Sequence, residues 1–394
     1  MSDITIQGEC AARFARVREV FERSFRNGKE VGAAVAVVQD GETVVDLWGG
    51  WADLARTRPW ERNTIVNVYS CTKAMAALCA HQLIERGRLD LDTPVAEYWP
   101  EFGQRGKRNI PVRWLLSHRA GLPAVRETLP MEALYDWTMI TEALAAEEPW
   151  WEPGTAHGYH AVTFGWLAGE LVRRIDGRSL GTYFRQEIAE PLGLDFHIGL
   201  PDVHHHRVGE LVELGAGGLE DLDPSTLGLM QVILSDLEGI TARAFMNPPS
   251  MALGVNNPEW RRAEIPGANG HAPARGLARV YGALARGGDL DGIHVLDPAA
   301  VARLSTEHSF GADRVLQIDT RFGLGVMLPQ ERRDARFGPS PRAFGHPGAG
   351  GALGCGDPDA KIGFGYTPNL LGPHILFDPR ALALLDAVYA SLGS

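Results

Sequence analysis

The stretch Asn67–Asp90, NVYSCTKAMAALCAHQLIERGRLD, decides the reading of this chain. Ser70 stands three positions before Lys73, at the start of an Ala/Leu-rich run, and residues at i and i+3 share one helix face. The pattern predicts a helix over 70–86, entered from the extended run NTIVNVYS and stopped by Gly87. Lysine is scarce: Lys29, Lys73, Lys107 and Lys361 are the only four among 38 basic residues. In the first turn of a helix, unpaired N–H groups and the helix dipole favour negative charge on oxygen. A serine hydroxyl is a poor nucleophile until a base takes its proton. A neutral lysine can do so, and moving its pKa from ~10.4 to ~7 by burial costs about 4–5 kcal/mol. The competing reading is a serine N-cap followed by a snorkelling lysine. The 13 serines and four lysines predict about 0.13 chance Ser-x-x-Lys matches, so context has to separate the two.

Working outward, residues 9–27 read as an amphipathic helix, with Phe14, Val17, Val20, Phe21 and Phe25 at helical spacing. VGAAVAVVQ and ETVVDLWGG flank an Asp-Gly turn and predict a hairpin. Helical segments at 111–117, 131–147, 161–175 and 179–190 alternate with Pro/Gly/Trp-rich loops. After a further helix over 274–287, RFGLGVML, RAFGHPGAGGALGCGD and DAKIGFGYTPN read as strands of a meander, closed by a helix over 379–392. The expectation is an α+β fold: an α/β lobe from 1–87 and 271–394, with a helical lobe over 88–270 inserted.

Two further constellations bear on chemistry. In EPGTAHGYHAVTFGWLAGEL, Tyr159 lies on a Pro/Gly-rich loop before a helix; it could hydrogen-bond a base or simply pack under the loop. In FGHPGAGGALGCGD, residues 344–357, the glycines imply close approach of a ligand or another backbone. An N–H from such a strand can supply half of an oxyanion hole. A rival nucleophile is Ser179 in GRSLG, but the Gly-x-Ser-x-Gly elbow needs a buried strand before the serine. Helices flank Ser179 on both sides, so an N-cap is expected there. His204–His206 are adjacent in sequence and do not converge on one ion, so a solvated turn is expected and no metal. His118 in LLSHRAGL is read as structural, and Trp150 and Trp151 as packing.

In this order the three constellations resemble the serine β-lactamase and penicillin-binding-protein superfamily, most of all its class C branch and the family VIII carboxylesterases. LLSHRAGL and EPGTAHGYHAVTFGWLAGE are similar to further segments of that family, so the resemblance spans most of the chain. It implies a β-lactamase-like fold, an antiparallel sheet flanked by helices plus an all-helical lobe. It implies Ser70 as acylated nucleophile, Lys73 as its proton acceptor and Tyr159 as the second member of the base pair. The backbone N–H groups of Ser70 and Ala349 would form the oxyanion hole, with His346 and Gly348 at the substrate.

The departures narrow the substrate. The family's Lys-Thr-Gly is here His346-Pro347-Gly348, and its Tyr-x-Asn is Tyr159-His160-Ala161. Proline offers neither a hydroxyl nor an N–H, and histidine is largely neutral at pH 7. The expectation is a serine carboxylesterase cleaving small or short-acyl esters, without a cofactor. The alternatives are a β-lactamase or D-amino-acid peptidase using His346 or Arg342 as the cation, an acyltransferase, and a non-catalytic scaffold. Activity is expected to rise toward alkaline pH as the Lys73/Tyr159 pair loses a proton.

The formal charge of −11 argues against nucleic acid as a partner, and no run approaches the ~18 apolar residues of a membrane span. The expected partner is a small-molecule ester; a homo-oligomer is left open. Cys10, Cys71, Cys79 and Cys355 show no metal-ligand spacing, and with no secretory signal at the N-terminus a reduced, cytoplasmic setting is expected.

Overall fold

The computed structural model describes residues 5–212, 224–249 and 254–393. The Asp-Gly turn closes the expected hairpin, β2 (Gly32–Gln39) with β3 (Glu42–Gly50). The glycine-rich tail supplies β4 (Phe344–Pro347), β5 (Leu353–Asp357) and β6 (Ile362–Pro368). With β1 (Gln7–Cys10) they form one antiparallel sheet in the order β1-β3-β2-β6-β5-β4. The fold is α+β and β-lactamase-like, its sheet covered by helices on both faces.

Alternation along β6 decides which helix lies where. Gly363 and Gly365 face α4 (Ala274–Ala285): a Cβ at Gly363 would lie 2.2 Å from the Ala278 carbonyl oxygen, and one at Gly365 2.1 Å from that of Ala274. Tyr366, on the opposite face, donates its hydroxyl proton to Glu30 beside α5 (Pro379–Leu392), which packs with α1 (Ala15–Arg26). In β6, then, what approaches the glycines is a helix backbone. Gly365→Ala is expected to destabilise the fold by about 1–3 kcal/mol through overpacking, read as a lower urea midpoint at unchanged m-value.

Three expectations need correction. The helix expected over 9–27 begins only at Ala15, because Gln7–Cys10 pair with the edge of β3; its apolar stripe still buries Val17, Phe21 and Phe25. RFGLGVML is not one strand. Asp319–Phe322 pair with Ser309–Ala312, the chain reverses at Gly325 (φ +89), and Met327 then bonds Gly345 of β4. The helix expected over 131–147 is split, a 3-10 turn Met131–Leu134 preceding a helix Trp137–Ala146 that Asp136 caps by accepting from the Met139 N–H.

Between Asn67 and His271, the regular elements among the described residues are helices and turns. At its ends the two-residue strands Val66–Asn67 and His271–Ala272 pair antiparallel. Their pairing fixes the approach to α2 (Thr72–Glu85), a helix buried nearly all round. No helix among the described residues is long and apolar enough to cross a membrane.

Candidate active site

Ser70, expected in the first turn of the helix, lies instead two positions before Thr72, where α2 begins with Cys71 as its N-cap. Tyr69 is held at φ +44, a conformation rare for a non-glycine residue, and the N–H groups of Cys71, Thr72 and Lys73 donate back to the carbonyls of Val68, Tyr69 and Ser70. This tight turn leaves Ser70 half-buried at the end of the helix. Lys73 is on the same face and fully buried (0% exposed), its Nζ 2.9 Å from Ser70 Oγ.

Two other groups reach that amine: the carbonyl oxygens of Ala161 at 2.6 Å and Gly267 at 2.7 Å. Burial holds the Lys73 pKa well below its usual value, and no carboxylate opposes the shift. A neutral amine has two hydrogens and one lone pair. The two carbonyls accept the hydrogens, leaving the lone pair for the Ser70 hydroxyl. Such an amine is oriented to take that proton.

The carbonyls are delivered by contacts far from Lys73 in sequence. Gly165, in α3 (Thr163–Asp176), lets the 263–269 loop press against that helix: a Cβ there would lie 2.0 Å from the Gly267 nitrogen. Asn269 ties the loop to itself, its amide donating to the Trp260 and Ala263 carbonyls and its oxygen accepting from the Ile265 N–H. Thr72 Oγ1 accepts from the Gly270 N–H at 2.8 Å, joining the loop to the first turn of α2.

Tyr159 is 3% exposed, and its ring centroid lies 4.8 Å from Lys73 Nζ. Burial pushes the phenol's pKa up, with the Ser70 hydroxyl pulling the other way. The loop carrying it is anchored by Asp313, whose Oδ1 accepts from the N–H groups of Tyr159, Val315 and Leu316. Thr320 donates to Asp313 Oδ2, and the His157 ring meets Thr320 Oγ1 at 2.9 Å. Sequence reading missed Asp313; nothing in GADRVLQID distinguishes it from a surface turn. Asp313→Ala is expected to lower kcat about 10–100-fold by releasing the tyrosine loop, measured beside circular dichroism to confirm folding.

His346 is 1% exposed. Its Nδ1 faces the Pro347 carbonyl at 2.8 Å, which assigns the proton there, and Nε2 points to the Tyr159 hydroxyl at 3.5 Å. Burial, then the nearby Lys73, lowers its pKa to about 3. The ring is neutral at working pH and faces the tyrosine. Arg342 lies beyond the far end of β4, 68% exposed and paired with Asp359 at 2.6 Å. Gly348 packs against the run before Ser70: a Cβ on it would lie 2.3 Å from the Val68 carbonyl oxygen. Ala349 follows at once, opening the turn Ala349–Gly351.

The remaining candidates are structural. Ser179 caps the helix Leu180–Phe184, accepting from the Thr182 N–H and donating to Glu264. Ser179→Ala is expected to cost about 1 kcal/mol of stability and to leave turnover within twofold. His118 accepts the His160 N–H on Nδ1. His160 holds the loop in turn, its Nδ1 on the Gly158 carbonyl and Nε2 accepting from Leu122. His204–His206 lie in a 3-10 helix, Asp202–Arg207, none of whose residues is buried; His205 and His206 bond the Leu200 and Val203 carbonyls. Trp150 and Trp151 donate to the carbonyls of Ala124 and Ala156.

Residues 17–389 match the family described as Beta-lactamase. An esterase/beta-lactamase of Mycobacterium tuberculosis, LipL, is 37% identical over 378 residues, covering 94% of this chain and 85% of that protein. A family VIII carboxylesterase of known crystal structure superposes with a TM-score of 0.90 at 42% identity, covering 98% of this chain and 100% of the other. A penicillin-binding-protein homologue from Caulobacter crescentus follows with a TM-score of 0.87, also at 42% identity, over 98% and 100% of the two chains.

Proposed function

This chain belongs to the β-lactamase family, and from that premise we propose that it is a serine carboxylesterase acting on small, uncharged, short-acyl esters. The observation that carries the reading is the Lys73 amine, 2.9 Å from Ser70 Oγ with both its other contacts on carbonyl oxygens. The neighbours' names favour esters: a family VIII carboxylesterase and an esterase/beta-lactamase.

In the proposed reaction Ser70 Oγ attacks the ester carbonyl carbon as Lys73 takes its proton. The oxyanion of the tetrahedral intermediate is stabilised by the N–H groups of Ser70 and Ala349. Collapse breaks the C–O bond to the alcohol, which leaves with a proton passed from Lys73 through the Tyr159 hydroxyl. Water then attacks the acyl-enzyme, giving its proton to the same pair, and the acid departs as Ser70 regains its hydrogen. Tyr159 works as a phenol that passes protons, since burial opposes its ionisation.

The preference for uncharged esters rests on the missing cation. A substrate carboxylate needs a charged donor. His346 is buried and neutral, and Arg342 is committed to Asp359 at the other end of the strand. Hydrolysis of p-nitrophenyl acetate and butyrate, set beside nitrocefin, tests this. Ester turnover exceeding nitrocefin turnover by about 100-fold in kcat/KM, near 2.7 kcal/mol of transition-state discrimination, is expected. Comparable rates would reject the preference.

A further inference from the structure

The turn that follows β4 is held by a buried charged cluster with no place in the reaction above. Gly348 N–H donates to the Ala352 carbonyl and Gly351 N–H to that of Gly348, closing the turn on itself. The Gly348 carbonyl therefore points to Gly351, and the Ala349 N–H of the same trans peptide points the opposite way. Gly350 is the anchor: its N–H donates to the His374 carbonyl, and its own oxygen accepts from the Gly372 N–H at 2.7 Å. That oxygen also accepts from Arg380 Nη2 at 2.8 Å.

Arg380 opens α5 and is itself fixed on every side. Nε and Nη2 take the two oxygens of Asp378 at 3.0 and 2.8 Å. Nη1 reaches the carbonyls of Lys29 and Leu370 and the buried Glu30 carboxylate at 3.2 Å. Ser24 and Tyr366 hold the other Glu30 oxygen. A guanidinium has five N–H hydrogens, and six acceptors already surround this one, whose side chain is 9% exposed. No donor is left for a substrate. Glycine at 351 and 372 makes room for the cluster: a Cβ would lie 2.7 Å from Arg380 Nη2 at the first and 2.1 Å from Asp378 Oδ2 at the second.

We propose that Arg380, braced by Glu30 and Asp378, is a positioning residue that sets the Ala349 N–H for the oxyanion by clamping Gly350. This rests on reading Ala349 as an oxyanion donor. A misplacement of about 1 Å at such a donor costs on the order of 10²-fold. Arg380→Met and Arg380→Lys are therefore expected to lower kcat on p-nitrophenyl butyrate about 10–100-fold, with KM within about threefold. A small alkylboronic acid, which forms a tetrahedral adduct on the serine and places an oxygen where the oxyanion sits, should lose affinity by the same factor.

Glu30→Gln keeps the shape of the cluster and guards against a variant that does not fold; its expected loss is smaller and in the same ratio for kcat and boronate affinity. Folded variants with kcat and boronate affinity within twofold of wild type would overturn the proposal, whatever their melting temperature. So would a kcat that falls while boronate affinity stays. If Ser70→Ala retains turnover and the boronate fails to bind wild-type enzyme, the reading of the site itself has failed instead.

Discussion

Ser70→Ala should lose about 10⁴–10⁶-fold in kcat on p-nitrophenyl butyrate, the range for removing a nucleophile whose partners act as a unit. The same variant should not be labelled by a fluorophosphonate probe, while wild type acquires one adduct on the peptide containing Ser70. The fold should be unaffected. The hydroxyl stands at the surface end of a turn whose backbone bonds do not use it, and the residual partner is an amine that still has two carbonyls. Turnover near the wild-type level would remove Ser70 from the chemistry, whatever the distances around it.

Lys73→Met should cost about 10³-fold in kcat, within the range for a general base, and this variant also tests the charge state. Burial depresses the Lys73 pKa, while it raises that of Tyr159. The proton lost on the way to the active form is therefore the lysine's, and the alkaline rise expected for the pair reduces to a limb set by Lys73. Activity should be present above its depressed pKa and fall as pH drops through it, without a second loss below pH ~10. Activity that is highest at low pH and declines as pH rises through neutrality would count against this base.

The stability sign follows from the same group. Between the depressed folded pKa and the unfolded value of ~10.4, the unfolded chain binds the extra proton, so this group makes stability rise with pH. Wild type minus Lys73→Met, compared by urea midpoints from pH 6 to 9, should show that slope. A difference independent of pH would mean that the folded lysine is charged.

The resemblance and the residue pattern agreed on what is local. Ser70 and Lys73 share a face because three residues make most of one helical turn. Gly87 ends its helix with positive φ, as its position foretold, and Gly177 does the same for α3. The expected hairpin closed at Asp40–Gly41, with a register shift between Val37 and Val38. Two of the errors fell where a distant strand won over local periodicity: Glu9 and Cys10, read as the start of the first helix, lie in a strand that meets the free edge of β3. RFGLGVML alternates like a strand, but the chain turns back at Gly325 to reach both Leu116 and β4.

Near neighbours in the chain set what the sequence determined by itself: a hydroxyl and an amine on one helical face, a phenol on a loop, glycines at a sheet's end. Tertiary structure alone decided what those groups can do. The carbonyls that orient Lys73 come from Ala161 and Gly267, the anchor of Tyr159 is Asp313, and the clamp on Gly350 is Arg380. Helical spacing depends on a few adjacent dihedral angles, whereas the charge of an amine and the aim of an N–H depend on which remote segments exclude water around them.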